Sequence, residues 1–350
     1  MAIQWALLTQ GFWQGVYNGG KFETIKIGIF TLVEATFGAA SLLITFGCLI
    51  GKMTPTPLAV VAVAQQLAYT FNVEVTLAWL KPSDVGGTIA IHLFGASFGL
   101  GAAWVWGAPS HVGEGHEKSS RASDVFSLLG TLILWVLWPS FNAAAVSVDD
   151  GDGRLRAIIN TVMAMSGSCI ATFIASRLFS PGRHFGQPEI QNSTLAGGVA
   201  IGSSANMIVK PAGALAIGIA AGVLSAWGFR RFQPTVAKTL GLHDTCGVMN
   251  LHFMPALLGA VASTLVAAIA KPADGYDHTF NVVFAHGSMQ WGYQLAATLM
   301  TAVIGGTSGA LVASVLLTTA GKKEKLCKTD GTFCDQALWE MDEEMRKQHV

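Results

Sequence analysis

Two short stretches carry the residues most able to do chemistry. In "DVGGTIAIH" an acid, Asp84, stands eight residues before His92; in "DTCGVMNLH" Asp244 stands eight before His252. The Asp-x-x-Gly-x-x-x-x-His spacing repeats at an offset of 160 residues, and the same offset pairs Ala96 with Ala256 and Gly99 with Gly259. Ala and Gly are common here, so the weight rests on the rarer Asp and His. An imidazole away from water is expected in its neutral form, with one donor and one acceptor, so two of them can hydrogen-bond to each other. That makes a polar strip suited to a small neutral solute. The plainer reading of either histidine alone is a core residue bonded to a neighbouring helix. Paired histidines can also be axial haem ligands; the other histidines lie in loops, at span edges or in the tail. Zinc lacks a third ligand at a plausible spacing. Each aspartate stands at a helix start, where an N-cap is worth ~1 kcal/mol; support of the helix fits better than proton chemistry.

The elements that position these residues follow from composition. Of 350 residues, 51% are hydrophobic and 12% charged, about half the charge of an ordinary soluble domain. Long apolar runs follow one another with short polar breaks, so the chain reads as an all-α polytopic membrane protein, since ~20 apolar residues cross the hydrocarbon as a helix. Ten spans are expected, at 2–16, 25–50, 57–80, 86–107, 124–145, 157–179, 192–209, 211–229, 247–270 and 291–317, before a charged tail at 318–350. Alternating sides back from a cytoplasmic tail puts fourteen Lys and Arg inside and seven outside, in keeping with the positive-inside tendency. The Asn192 sequon then faces the cytoplasm and is expected to stay unglycosylated.

The two histidine helices are spans four and nine, an odd number apart, and so cross in opposite directions. Eight residues of helix cover ~12 Å and the midplane lies ~15 Å below either surface. With Asp84 near the outer mouth and Asp244 near the inner one, both histidines arrive near the middle. An inverted repeat with its polar site at the midplane is a transport architecture.

Other residues read more plainly. Phe37 lies a turn after Glu34, and Phe141 follows Pro139 in "LWPSFNAAA"; alone, both are packing aromatics. Gly198/Gly202, Gly218/Gly222 and Gly305/Gly309 make small-xxx-small faces for close helix packing. The five cysteines form no paired framework and read as small hydrophobes. With no nucleotide loop, triad or metal motif, an enzyme is not expected, and the absence of a basic block argues against nucleic acid.

The chain resembles the Rh glycoproteins of the ammonium transporter (Amt/Mep/Rh) family. The stretches "IQWALLTQG", "DVGGTIAIHLFGASFGL", "LWVLWPSFNAA", "IQNSTLAGGVAIG", "GLHDTCGVMNLH" and "CDQALWEM" carry the likeness, in family order over nearly the whole chain. The resemblance implies an eleven- or twelve-helix fold built on a five-plus-five inverted repeat, with halves at about 1–107 and 124–270, a final helix at 291–317 and a cytoplasmic tail at 318–350. It implies a plasma-membrane homotrimer with one ammonia pore per subunit, ammonium shedding a proton on entering, and no cofactor. Carbon dioxide is a second proposed substrate of Rh proteins, and methylammonium is a further candidate. By the same likeness His92 and His252 are pore-lining, Asp84 and Asp244 support the pore, Phe37 and Phe141 close its outer side, and Glu34 and Asn142 belong to the outer vestibule. The rival readings are an electrogenic ammonium transporter and a non-conducting, Rh-like scaffold or truncated subunit. The chain departs from the family in several places. Met1 falls inside what would be the second helix, so the chain reads as N-terminally short by one or two spans. Phe253 and Ala256 replace glycines near the second histidine, and Asn206 stands where an acid is common.

Overall fold

A computed structural model describes residues 1–108, 117 and 119–319. Among these there is no β-strand. Eight helices are long and apolar enough to span a membrane: α2 (Ile29–Leu49), α3 (Pro55–Leu80), α4 (Thr88–Trp106), α5 (Arg121–Ala144), α6 (Gly153–Phe179), α9 (Lys210–Leu240), α10 (Met249–Ile269) and α11 (Gly287–Thr319). The shorter α1 (Ala2–Tyr17) precedes them and packs on α2 and α3. The expected tail and its "CDQALWEM" lie outside the described residues.

One of the ten expected spans is not a continuous helix. Where 192–209 reads as a single run, the chain forms α7 (Gln187–Ser193), α8 (Ala196–Ile201) and a 3₁₀ turn, Gly202–Ser204. Non-helical backbone at membrane depth persists only where other groups satisfy it, and here they do. Ser168 Oγ donates to Ser193 O (2.7 Å), Thr88 Oγ1 to Val199 O (2.6 Å), and Asn160 Nδ2 to Ala205 O and Met207 O (2.8 and 3.0 Å). Gly86 N donates to Gly202 O (2.9 Å), tying the start of α4 to this segment. α9 also runs past its expected end at 229, because the wide turn Gly228–Phe232 carries the helix on to Leu240.

Small residues set how closely the helices approach. Gly218 and Gly222 of α9 press on the backbone of Ala164 and Ser168 in α6, and Gly305 and Gly309 of α11 press on Phe94 and Phe98 in α4. A side chain at any of these four positions would meet backbone, so the contacts depend on glycine. The first turns of α4 are enclosed, with residues 86–100 all buried.

Candidate functional site

The two Asp-Gly-His stretches fold alike. Asp84 reaches forward to the first turn of α4: its carboxylate accepts from Ile89 N (3.1 Å to each oxygen) and Ala90 N (2.8 Å). Asp244 does the same for α10, accepting from Met249 N (2.7 Å), the residue that matches Ile89 at the 160-residue offset. Between acid and helix the chain turns through Gly87 (φ +67°) and Gly247 (φ +74°), a left-handed conformation that a side chain would strain. Each helix then opens in a wide π-turn, Thr88–Leu93 and Met249–Phe253, and each π-turn contains the histidine. In the first, the N–H groups of Ile91 and His92 both bond to Gly87 O (2.9 Å). Such turns are uncommon and gather at functional sites, because they re-aim side chains that regular α-helix would point elsewhere.

The histidines meet where the helices cross. His92 Nδ1 and His252 Nδ1 are 3.1 Å apart, a hydrogen bond in which one ring donates and the other accepts. The rings lie 5.2 Å apart and within 16° of parallel. Contacts further along run antiparallel, with Ile89 of α4 beside Ala260 of α10. Ser203 joins the two helices laterally: its N–H donates to Thr88 Oγ1 (2.8 Å) and its hydroxyl to Gly259 O (3.2 Å).

Aromatic rings cover the pair from one side. Phe37 and Phe141 meet edge-to-face at 5.0 Å, and Phe141 lies 6.1 Å from His92. Trp138, one turn before Phe141, stacks on His92 at 5.7 Å and 17°. Its Nε1 is buried and, among the described residues, unpaired, as is His92 Nε2. Trp138 is the site residue that sequence reading passed over. The available signal was its i, i+3 spacing from Phe141, which puts both rings on one helix face.

The remaining candidates separate. Glu34 is exposed on α2, where its Oε2 accepts from Gln10 Nε2 (3.1 Å). Asn142, expected at the outer vestibule, is buried; its amide donates to Thr161 Oγ1 (2.9 Å) and Gly198 O (3.2 Å), bridging α5, α6 and α8. Asn206 sits beside a nearby acid, donating to Asp150 Oδ2 (2.8 Å), while Arg156 holds the other carboxylate oxygen (2.6 Å).

At the opposite end the Asp244 turn has different partners. Lys52 Nζ donates to His243 O (2.5 Å), Gln233 Nε2 to Asp244 O (2.8 Å), and Cys246 N to Gly47 O (3.0 Å). Lys52 is buried, and that burial lowers its amine to about 8.

Fold and site together define a polytopic helical membrane protein with a two-fold pair of histidine-bearing helices at its centre. Comparison with known proteins gives the family. The profile described as Ammonium Transporter Family matches residues 1–330. The chain is 37% identical over 358 residues to the ammonium transporter Rh type C of Xenopus tropicalis, covering 99% of this chain and 74% of that protein. It is also 37% identical over 352 residues to the ammonium transporter Rh type B of Mus musculus, covering 97% of this chain and 74% of that one. Among solved structures, Nitrosomonas europaea Rh50, described as belonging to the Rhesus protein family of channels, superposes with a TM-score of 0.74 at 28% identity, over 99% of this chain and 86% of its own. The chain belongs to the ammonium transporter family.

Proposed function

We propose that this protein is a membrane channel for ammonia, with His92 and His252 lining the path. Ammonium reaching the outer side leaves its proton there, ammonia passes the histidine pair, and a proton is regained on the inner side. The observation that carries this reading is the 3.1 Å contact between the two Nδ1 atoms on oppositely directed helices, with His92 only 4% exposed. An ion in so enclosed a place costs several kcal/mol unless it is paired. No fixed charge is bonded to either ring among the described residues, so the neutral species is favoured. In one tautomeric arrangement the pair presents an acceptor on one outer nitrogen and a donor on the other, which suits a small molecule that both gives and takes hydrogen bonds.

In this reading Asp84 and Asp244 hold the helix starts that aim the histidines, and Phe37 and Phe141 close the outer side. Trp138 stiffens the His92 ring. Glu34 is the exposed acid placed to attract ammonium, whereas Asn142 acts from within the packing. The two halves, 1–107 and 124–270, are related as an inverted repeat, and three copies assemble in the plasma membrane with the tail in the cytoplasm. Carbon dioxide and methylammonium are the further substrates to test. The protein acts by conduction rather than catalysis.

Stopped-flow uptake of ammonia into proteoliposomes tests this, with membrane current recorded in parallel. Uptake faster than in empty liposomes without matching current is expected. Current proportional to uptake would make the protein an electrogenic ammonium transporter, and uptake equal to that of empty liposomes would make it a non-conducting scaffold.

A further inference from the structure

The final helix lies outside the paired helix starts, yet it carries a side chain that touches one histidine-bearing helix and the segment leading into the other. Gln294 of α11 is fully buried. Its Oε1 accepts from Ser83 N (2.6 Å) and its Nε2 donates to Ser83 O (3.1 Å), so the amide grips one backbone residue at two points, next to Asp84. The same Nε2 donates to Ser263 Oγ (2.8 Å) on α10. Gln290, one turn earlier, repeats the grip more loosely, donating to Lys81 O (2.9 Å), and His286 Nε2 meets Leu80 O (3.0 Å). The segment 80–83, which leads into the Asp84 turn, is therefore latched to α11.

We infer that Gln294 is a positioning residue for the histidine pair: it fixes the height of α4 against α10 and so sets the His92–His252 separation. From Ser83 to His92 the chain is one braced unit, since Asp84 bonds to Ile89 and Ala90 and Gly87 O bonds to His92 N. Ser263 lies eleven residues beyond His252 on α10, ~16 Å along a rigid helix. Ser203 ties the helices nearer the histidines, and Gln294 ties them again at the outer end. Two ties at different heights resist tilt as well as separation. The inference rests on the channel reading above.

The test compares the parent with Gln294→Leu and Gln294→Glu in proteoliposomes, and reads the ratio of methylamine to ammonia permeation together with the ammonia rate. A ratio is unchanged by protein yield or by the fraction folded. Gln294→Leu removes the bonds to Ser83 and Ser263 while the Ser203 tie stays, and the ratio is expected to rise at least threefold as the pair loosens. Gln294→Glu keeps the shape; its ionised carboxylate cannot donate to Ser83 O or Ser263 Oγ, whereas the protonated acid can restore one donor. Because the carboxylate still accepts from Ser83 N–H, its ratio is expected to lie between those of the parent and Gln294→Leu at high pH and to fall toward the parent's as pH drops. The parent's own pH profile is recorded alongside, because Asp84, Lys81 and His286 border the same latch. A conducting parent whose ratio is unchanged in both variants overturns the inference and leaves the channel reading standing; a parent that does not conduct removes the channel reading itself.

Discussion

The start of α4 and the start of α10 use one local design in two settings. Both place an aspartate beneath a left-handed glycine, open in a π-turn and present a histidine. Around α4 the design is sealed. Thr88 is bonded into the broken segment, Gly86 lies against Gly202, Gln294 grips Ser83, and Trp138 and Phe141 cover His92. Around α10 the histidine is less covered: His252 is partly exposed, and Asp244, though more buried than Asp84, has one bonded backbone N–H against two at Asp84. Two-fold symmetry at the level of backbone thus coexists with asymmetry of enclosure. Aromatic rings lie against His92, whereas His252 stays partly exposed.

The comparison can be broken from the sealed end first. Asp84→Ala frees two backbone N–H groups from a charged acceptor, at about 1.5–3 kcal/mol for such a bond. It is expected to lower thermal stability by about 2–4 kcal/mol, read from a melting curve in detergent. Gly202→Ala comes next, because a Cβ there would meet Gly86 backbone and Thr88 Oγ1; overpacking of this kind costs about 1–3 kcal/mol. Asp244→Ala loses one such bond and is expected to cost about 1–2 kcal/mol, less than Asp84→Ala. An equal or larger loss at Asp244 would show that the number of bonded N–H groups does not set the strength of the two caps. Phe141→Ala acts on the lid rather than on stability relative to these: removing the ring is expected to raise water permeability through the protein while Asp244→Ala leaves it unchanged.

Lys52 gives an effect of another kind, read as a pH dependence of stability. Its buried amine has a value of about 8 against an ordinary 10.5. The unfolded chain therefore holds this proton more tightly than the folded protein does, and the charged amine weakens the fold below about 8. As pH rises from there toward the ordinary value the penalty disappears, so stability from this group increases with pH. Lys52→Met is expected to flatten that rise, as seen in melting temperatures across the same window.

Much of this was legible in residue types and spacing. The repeated Asp-x-x-Gly-x-x-x-x-His stretches predict helix starts, opposite directions and a meeting of the two histidines, because each inference needs only the rise per residue and a count of spans. The broken seventh span was not legible in this way. Hydropathy sees that 192–209 is apolar, but the break depends on Ser168, Thr88 and Asn160 reaching its carbonyls from distant positions in sequence. Asn142 shows the same limit, since nothing in a polar residue beside Phe141 tells that its amide will bond to Thr161 and Gly198. Gln294 carried no signal of its own; a glutamine near the start of an apolar helix is unremarkable until its partners are known.

The account stands on the histidine pair as the conducting point, and ammonia uptake tests that directly. Purified parent, His92→Ala and His252→Ala should be compared in proteoliposomes by stopped-flow, at matched amounts of folded protein. The parent is expected to exceed empty liposomes, and each variant to change the rate at least severalfold. Parent and both variants conducting at the same rate would contradict it, and would place the path away from His92 and His252.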